Sequence, residues 1–340
     1  MYMDVGRVAN IYQNNVKHDI AFVLCNMGVG DMIVTTGLRE YLSTIYDSVI
    51  ALCRPEYVQY LYKFHEGNKK IKHFAYEKKF MTGCCWTFPR ELVDKFSEQA
   101  DIYALGHYSA SGIINVYPVS YYEDACIPFE YMKTHVHITP YNDNIDISSV
   151  KGVGIEDSTA RPNVRGVGIE DSTARPNVRG VIIPKHIMSL YNDFLTQHKS
   201  YIVTHQIGST CDIDLIKKCQ INIDDMIVID INKNLYLPNH SWHDMAQKFI
   251  NFENPMWYKL LLENATGLCL VDSCIHSLAY LCDLSRVKQK ICYYRSHSFP
   301  YVDAGFKYIQ LCEYYYAPGR VQFSFPDGNN TPNLFWEFMK

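Results

Sequence analysis

The sequence predicts an α/β protein of two parallel-sheet domains that face each other across a cleft. Three observations carry this expectation. At 340 residues the chain exceeds one ordinary hydrophobic core. Both halves alternate strand-like and helix-like segments. Two junctions far apart each show an apolar run that breaks into small or acidic residues and resumes with helical periodicity. The first is Asn26-Met27-Gly28-Val29-Gly30-Asp31, and the second is Val271-Asp272-Ser273-Cys274-Ile275-His276-Ser277-Leu278-Ala279. A strand feeding a helix N-terminus is where open α/β sheets bind ligands.

In the first half, 19–26 reads as a strand, 31–46 as a helix, 48–53 as a strand, 56–65 as a helix, and 71–76 and 100–105 as strands. Ile33, Leu38, Tyr41, Leu42 and Ile45 recur at three- and four-residue spacings, which gives the first helix one buried face. Asp31 opens that helix, where an acid complements the helix dipole or acts as an N-terminal cap. The first domain is expected over 1–150.

Residues 152–165 are repeated without change as 166–179. Two polar 14-residue copies are too few and too short for a solenoid. Their Gly, Pro, Asp, Ser and Asn content makes 151–180 an interdomain insertion or linker. The second domain is expected over 181–340. In it, 200–205, 226–230, 267–271 and 290–294 read as strands, and 212–219, 245–252, 256–264 and 273–282 as helices. The aromatic tail 333–340 reads as a terminal helix docking back on the first domain.

Apolar residues make up 48% of the chain and charged ones 20%, which excludes general disorder. A net charge of -4 leaves no basic footprint for nucleic acid. The twelve cysteines are scattered without a C-x-x-C pair, so buried thiols in a reducing compartment are expected instead of a metal site or a disulfide framework. No apolar stretch reaches the ~18 residues of a membrane span, and the first residues lack a signal-peptide core. A cytoplasmic protein is expected.

Gly28 and Gly30 stand where backbone must approach a ligand closely, but Ile33 occupies the third place of a G-x-G-x-x-G dinucleotide fingerprint. The turn also offers a carboxylate, Asp31, at the mouth of a sheet. At the late junction Asp272 and Ser273 cap a helix, with His276 and Ser277 on its first turn as ligand groups or, equally, as packed residues. A third junction follows the strand ending at His205, where Gly208, Ser209 and Thr210 form a phosphate-cradle candidate or an ordinary turn.

Together the run G-V-G-D-M-I-V-T-T-G-L-R at 28–39, the strand ending in His205 with its Gly-Ser-Thr loop, and D-S-x-x-x-x-L-A at 272–279 resemble the heptosyltransferase-like (family 9-like) group of GT-B glycosyltransferases. The resemblance implies two Rossmann-like domains, an acceptor bound by the first and a nucleotide-diphosphate sugar by the second. It implies inverting transfer to an acceptor hydroxyl, with no metal and no cofactor beyond the sugar nucleotide. Asp31 then matches the family's general base, and Asp272 and Ser273 the start of its donor motif. The sequence departs from the pattern at Cys274 and in the His276-Ser277 order, and the 206–211 loop holds no Lys or Arg. Two alternatives stand beside the transferase: a non-catalytic GT-B-like binding or scaffold protein, and a Rossmann enzyme using a nicotinamide or S-adenosyl cofactor.

Overall fold

The structure, a computed structural model, describes residues 18–24, 28–53, 55–75, 99–105, 118, 121–122, 125–136, 138–140, 181–208, 212–294 and 313–316. The duplicated insert 152–179, the tail 333–340, Ser209 and Thr210 lie outside these residues. The chain divides into two compact units, Met1–Lys185 and His186–Lys340.

The first unit is built on a four-stranded parallel sheet of β1 (Ile20–Leu24), β2 (Ser48–Cys53), β3 (Ile71–Ala75) and β4 (Asp101–Ala104), in the order β3-β2-β1-β4. β1 is central, and its Ala21, Phe22, Val23 and Leu24 are all buried, as expected of a strand covered on both faces. Asp101, opening β4, accepts bonds from the Tyr46 hydroxyl (2.6 Å) and His18 Nδ1 (2.7 Å), which ties the start of β4 to the chain entering β1. A separate parallel pair, β5 (Ile138–Pro140) and β6 (Val181–Ile183), belongs to the same unit.

The helix expected over 31–46 forms as two pieces, α1 (Val29–Val34) and α2 (Thr36–Ile45). Thr35 separates them because its hydroxyl donates back to the Asp31 carbonyl (2.7 Å), while Thr36 does the same to Met32 (2.9 Å). Such side-chain competition for helix carbonyls loosens a helix locally. α3 (Val58–Phe64) follows β2, and the short α4 (Tyr131–Thr134) packs on α2. Gly37 makes that packing possible: a Cβ there would lie 2.2 Å from the Tyr131 carbonyl oxygen.

The second unit holds a five-stranded parallel sheet. Its strands are β7 (Tyr201–His205), β8 (Ile227–Asp230), β9 (Gly267–Val271), β10 (Gln289–Tyr294) and β11 (Glu313–Tyr316), in the order β11-β10-β9-β7-β8. Every residue of β9 is buried. A helix not anticipated from the sequence, α5 (Lys185–Gln197), covers the core with Ile187, Tyr191 and Phe194, three residues on one helical face.

The remaining helices are shorter than expected. α6 (Leu215–Lys218) starts late because Asp212 pairs with Ile207 in an isolated antiparallel bridge and Asp214 supplies the cap, accepting from Lys217 N. α7 (His243–Gln247) and α8 (Lys259–Glu263) replace longer expected helices, the latter preceded by a 3-10 turn at Pro255–Tyr258. α9 (Cys274–Ala279) follows β9, with Ser273 as its N-cap. At the sheet edge formed by β8, the Tyr236 hydroxyl accepts the Val228 N–H (2.7 Å), and Asn251 N–H donates to the carbonyl of Ile231 (3.0 Å).

Candidate functional site

In the first unit the chain leaves β1 for β2 on one side, while β4 lies on the other, so the strand order reverses beside β1. Such a switch point is where parallel sheets hold ligands, at the carboxyl ends of the strands. The Gly28–Asp31 turn lies just past that end of β1. Asp31 is held by two donors: Oδ2 accepts the Gly28 N–H at 2.7 Å, and Oδ1 accepts the Tyr121 hydroxyl at 2.5 Å. Its backbone sits in the first turn of α1, beside Gly30. Tyr122, the next residue, donates to the Val34 carbonyl (2.8 Å), so the 121–122 pair clamps both ends of α1. The carboxylate is therefore oriented and half-buried.

Behind Asp31 lies a buried charged network that the sequence reading left out. Arg39 is fully buried in α2, and its guanidinium donates to His65 Nε2 (2.9 Å), Thr35 Oγ1 (2.8 Å) and the Met32 carbonyl (2.6 Å). The other nitrogen of His65 meets Glu40 Oε1 at 2.6 Å, and Glu40 also accepts from Asn68 (2.6 Å). Burial, opposed by the Glu40 bond and reinforced by Arg39, holds the His65 pKa below its usual value. His73 stacks on His65 with ring centroids 5.7 Å apart, and burial holds its pKa well down too. Thr35 and Met32 are the residues at the α1–α2 break, so Arg39 stitches the turn that carries Asp31. Arg39 and Glu40 look like solvated charges in sequence.

The second unit has its own switch point. β7 is flanked by β8 on one side and β9 on the other, so the reversal falls between the carboxyl ends of β7 and β9. His205 ends β7, and Asp272 and Ser273 follow β9. The structure joins them: Ser273 Oγ lies 2.8 Å from His205 Nδ1. Gly208 belongs to the same assembly, because a Cβ at 208 would lie 3.0 Å from the Asp272 carbonyl oxygen and 3.4 Å from Ser273 Cβ. Two of the three sequence junctions thus form one locus, and its close backbone approach favours glycine.

His205 is 5% exposed, and burial lowers its pKa to about 4, so the ring is neutral at physiological pH. His276 is fully buried, and burial lowers its pKa to about 3. Its Nδ1 stands 4.0 Å from Asp272 Oδ1, and its ring packs edge-on against Tyr280 at 4.9 Å. Ser277 is also buried, and its hydroxyl donates to the Ser273 carbonyl (3.2 Å). His276 and Ser277 thus sit inside the unit beneath the junction, while Asp272 keeps a partly exposed side chain.

A further carboxylate, absent from the sequence candidates, organises these strand ends. Asp230 ends β8 and is buried; it accepts bonds from the Thr204 hydroxyl (2.6 Å), Gln206 Nε2 (3.0 Å), and the N–H groups of Asn232 (2.9 Å) and Lys233 (3.0 Å). Burial holds its pKa above the usual carboxylate value, and these four bonds offset part of that rise. Asn232 Oδ1 in turn accepts the N–H groups of Gln206 (3.0 Å) and Ile207 (2.9 Å). The loop after β7 is therefore fastened to the turn after β8. A lone acid at the end of the apolar run Ile227-Val228-Ile229 was the available signal.

Among the described residues no group of three or more His, Cys, Asp and Glu is placed to hold a metal ion. No helix among them is long and apolar enough to cross a membrane.

These features define an α/β protein with a ligand-type strand end in each of two parallel sheets. No protein-family model and no curated protein matches the chain. Among solved structures it is similar to a glycosyl transferase family 9 protein from Veillonella parvula DSM 2008, at 11% identity and a TM-score of 0.40, over 93% of this chain and 91% of that one. It is also similar to E. coli heptosyltransferase WaaC with ADP, at 8% identity and a TM-score of 0.36, over 81% of this chain and 87% of that one. A third likeness is to E. coli ADP-heptose lps heptosyltransferase II, at 12% identity and a TM-score of 0.32, over 83% and 87%.

Proposed function

We propose that the chain is a glycosyltransferase of the heptosyltransferase-like GT-B group, moving a sugar from a nucleotide-diphosphate donor to an acceptor hydroxyl in the cytosol. The observation that carries this reading is the Asp31 carboxylate, oriented by Gly28 N–H and Tyr121 at the switch point of the first sheet. The Gly28–Arg39 and Asp272–Ala279 motifs support it, as does the gathering of His205, Gly208, Asp272 and Ser273 at the second switch point.

In this reading the acceptor binds the first unit and the sugar nucleotide the second. Asp31 takes the proton of the acceptor hydroxyl as its oxygen attacks the anomeric carbon. The bond from that carbon to the diphosphate oxygen breaks, and the nucleoside diphosphate leaves with the electron pair. Attack opposite the leaving group inverts the anomeric centre and uses no metal. Ser273 and the backbone at Gly208 hold the donor, with neutral His205 fixing the Ser273 hydroxyl.

A second reading, a non-catalytic binding protein, is favoured by a specific observation: the bonds to Gly28 N–H and Tyr121 suffice to explain Asp31 as a structural cap. The deciding experiment pairs binding with turnover. Thermal stabilisation is read against a panel of nucleotide-diphosphate sugars, nicotinamide cofactors and S-adenosylmethionine, where a ligand at 100 times its Kd adds about 2.7 kcal/mol. Transfer is then measured for wild type and Asp31→Asn with the stabilising sugar nucleotide. A general base contributes roughly 10²–10⁴-fold, so turnover should fall by that factor with the thermal shift retained. Equal turnover in both proteins removes Asp31 from catalysis. Binding without transfer selects the second reading, and a shift with a nicotinamide or S-adenosyl cofactor alone overturns both.

A further inference from the structure

We propose that Cys219 and Cys269 are a reversible disulfide-forming pair, oxidised by peroxide or by a small-molecule disulfide. Their sulfur atoms lie 2.8 Å apart although the residues are 50 positions apart in sequence, and both thiols are reduced. A disulfide bond is about 2.05 Å long, so closure takes less than ~1 Å of movement. This inference is independent of the transferase reading.

The two positions are fixed by separate parts of the fold. Cys269 lies in β9, in the middle of the five-stranded sheet, and is 3% exposed. Cys219 caps the C-terminus of α6, where its N–H donates to the Leu215 carbonyl (2.9 Å). The next residue, Gln220, turns through a left-handed conformation at φ 53°, and Ile221 N–H closes on the Ile216 carbonyl (2.9 Å). A left-handed residue with a back-bond of this kind is a helix-ending turn, and it holds the Cys219 side chain over β9. Leu215, Val271, Ile291 and Tyr293 form an apolar cluster with Cys269, and Cys219 packs against it. Cys219 is the partly exposed member and Cys269 the buried one, the arrangement of an attacking thiol with a resolving thiol behind it.

The chemistry balances with one equivalent of peroxide. The Cys219 thiolate attacks a peroxide oxygen, the O–O bond breaks, and sulfenic acid and water form. The Cys269 thiolate then attacks the Cys219 sulfur and expels hydroxide, which takes a proton and leaves as the second water. Two thiols and one peroxide give one disulfide and two waters. With a small disulfide as oxidant, two successive exchanges release two small thiols, and an external thiol reverses the link by the same route. The bond fastens α6, whose Leu215 N–H donates to Gln206 Oε1 (3.0 Å), to the strand whose end carries Ser273. Oxidation thus couples to the locus where His205 meets Ser273.

The test uses the full chain, reduced and desalted, then exposed to a modest excess of hydrogen peroxide, alkylated at acid pH, digested without reductant and mapped by mass spectrometry. The expected result is a linked peptide pair joining Cys219 to Cys269, lighter by two hydrogens than the separate peptides and lost on adding dithiothreitol. Most of Cys269 should be in that form. In Cys269→Ser the sulfenic acid at Cys219 has no resolving thiol, so trapping by a sulfenic-acid-specific dione should rise at least ~10-fold over wild type. Cys219→Ser, at the partly exposed position, guards against a folding defect in the buried variant: Cys269 should stay unoxidised under the same treatment. The proposal fails if both thiols remain alkylatable in wild type while other cysteines oxidise. It also fails if Cys219 links elsewhere or runs on to sulfinic acid without a link.

Discussion

Arg39 Nε donates to Nε2 of His65 across 2.9 Å, and this one bond decides where the His65 proton sits. An arginine donates and never accepts, so Nε2 carries a lone pair and the single ring proton is on Nδ1. That proton faces Glu40 Oε1 at 2.6 Å, and the neutral ring passes the carboxylate's pull through to the guanidinium. Burial, which lowers the proton affinity of His65, and the adjacent Arg39 charge agree with that tautomer.

Arg39→Met should be severely destabilising. The change leaves His65 Nε2, the Met32 carbonyl and Thr35 Oγ1 without the guanidinium in a buried region, and breaking a buried ionic network typically costs about 3–5 kcal/mol. Arg39→Lys should recover only a minor part, because one ammonium cannot span three acceptors set out for a planar fork. Urea unfolding of the three proteins checks this; a Met variant within 1 kcal/mol of wild type, by the roughly ±0.5 kcal/mol scale of neutral surface changes, removes the network from the stability account.

Acid should weaken the second unit through its two buried histidines. The unfolded chain binds a proton on each near pH 6.5, whereas folded His205 and His276 hold out to about 4 and about 3. Above pH 6.5 both states are neutral and neither ring matters. Below it the unfolded state gains protons that the folded one refuses, so each ring costs about 1.4 kcal/mol per pH unit until its folded pKa is reached. Between pH 7.5 and 5.5 the two together should lower stability by roughly 3 kcal/mol. His205→Asn should remove about half of that dependence, read from denaturant midpoints at the two pH values. Parallel pH profiles for variant and wild type contradict the assignment.

Gly37→Ala sets two effects of opposite sign against each other. Helix propensity favours alanine by about 1 kcal/mol. The new Cβ, however, would stand 2.2 Å from the Tyr131 carbonyl oxygen and 3.0 Å from Met132 Cα, both backbone atoms that no rotamer change can move aside. Overpacking of this kind costs about 1–3 kcal/mol and sometimes more, so the variant should be less stable than wild type. A higher melting temperature for Gly37→Ala shows instead that α4 moves freely off α2.

The strand-to-helix junctions were legible because an apolar run ending in Gly28-Val29-Gly30-Asp31 or Asp272-Ser273 changes both polarity and period at one point. The meeting of His205, Gly208 and Ser273 follows from strand order, which places β7 beside β9, and periodicity does not contain strand order. Arg39, Glu40 and Asp230 escaped notice for a related reason: a charge is read as solvated until its partners, here 25 and 26 residues away in the His65 and Thr204 pairs, are brought to it. The α5 face of Ile187, Tyr191 and Phe194 recurs at helical spacing in the sequence, yet no helix is expected there. Helix lengths failed where other bonds outcompeted the helix, a side-chain bond at Thr35 and a backbone bridge at Asp212.

The bond from Val228 N–H to the Tyr236 hydroxyl bears on assembly. An outer strand of a parallel sheet is a template on which another polypeptide can pair, and that pairing begins with donors whose valence is unspent. At β8 the donor of residue 228 is spent on the chain's own tyrosine, and the carbonyl of Ile231 just beyond is spent on Asn251. A strand that pairs alongside Val228 has to break that internal bond first, which disfavours peptide addition at this position.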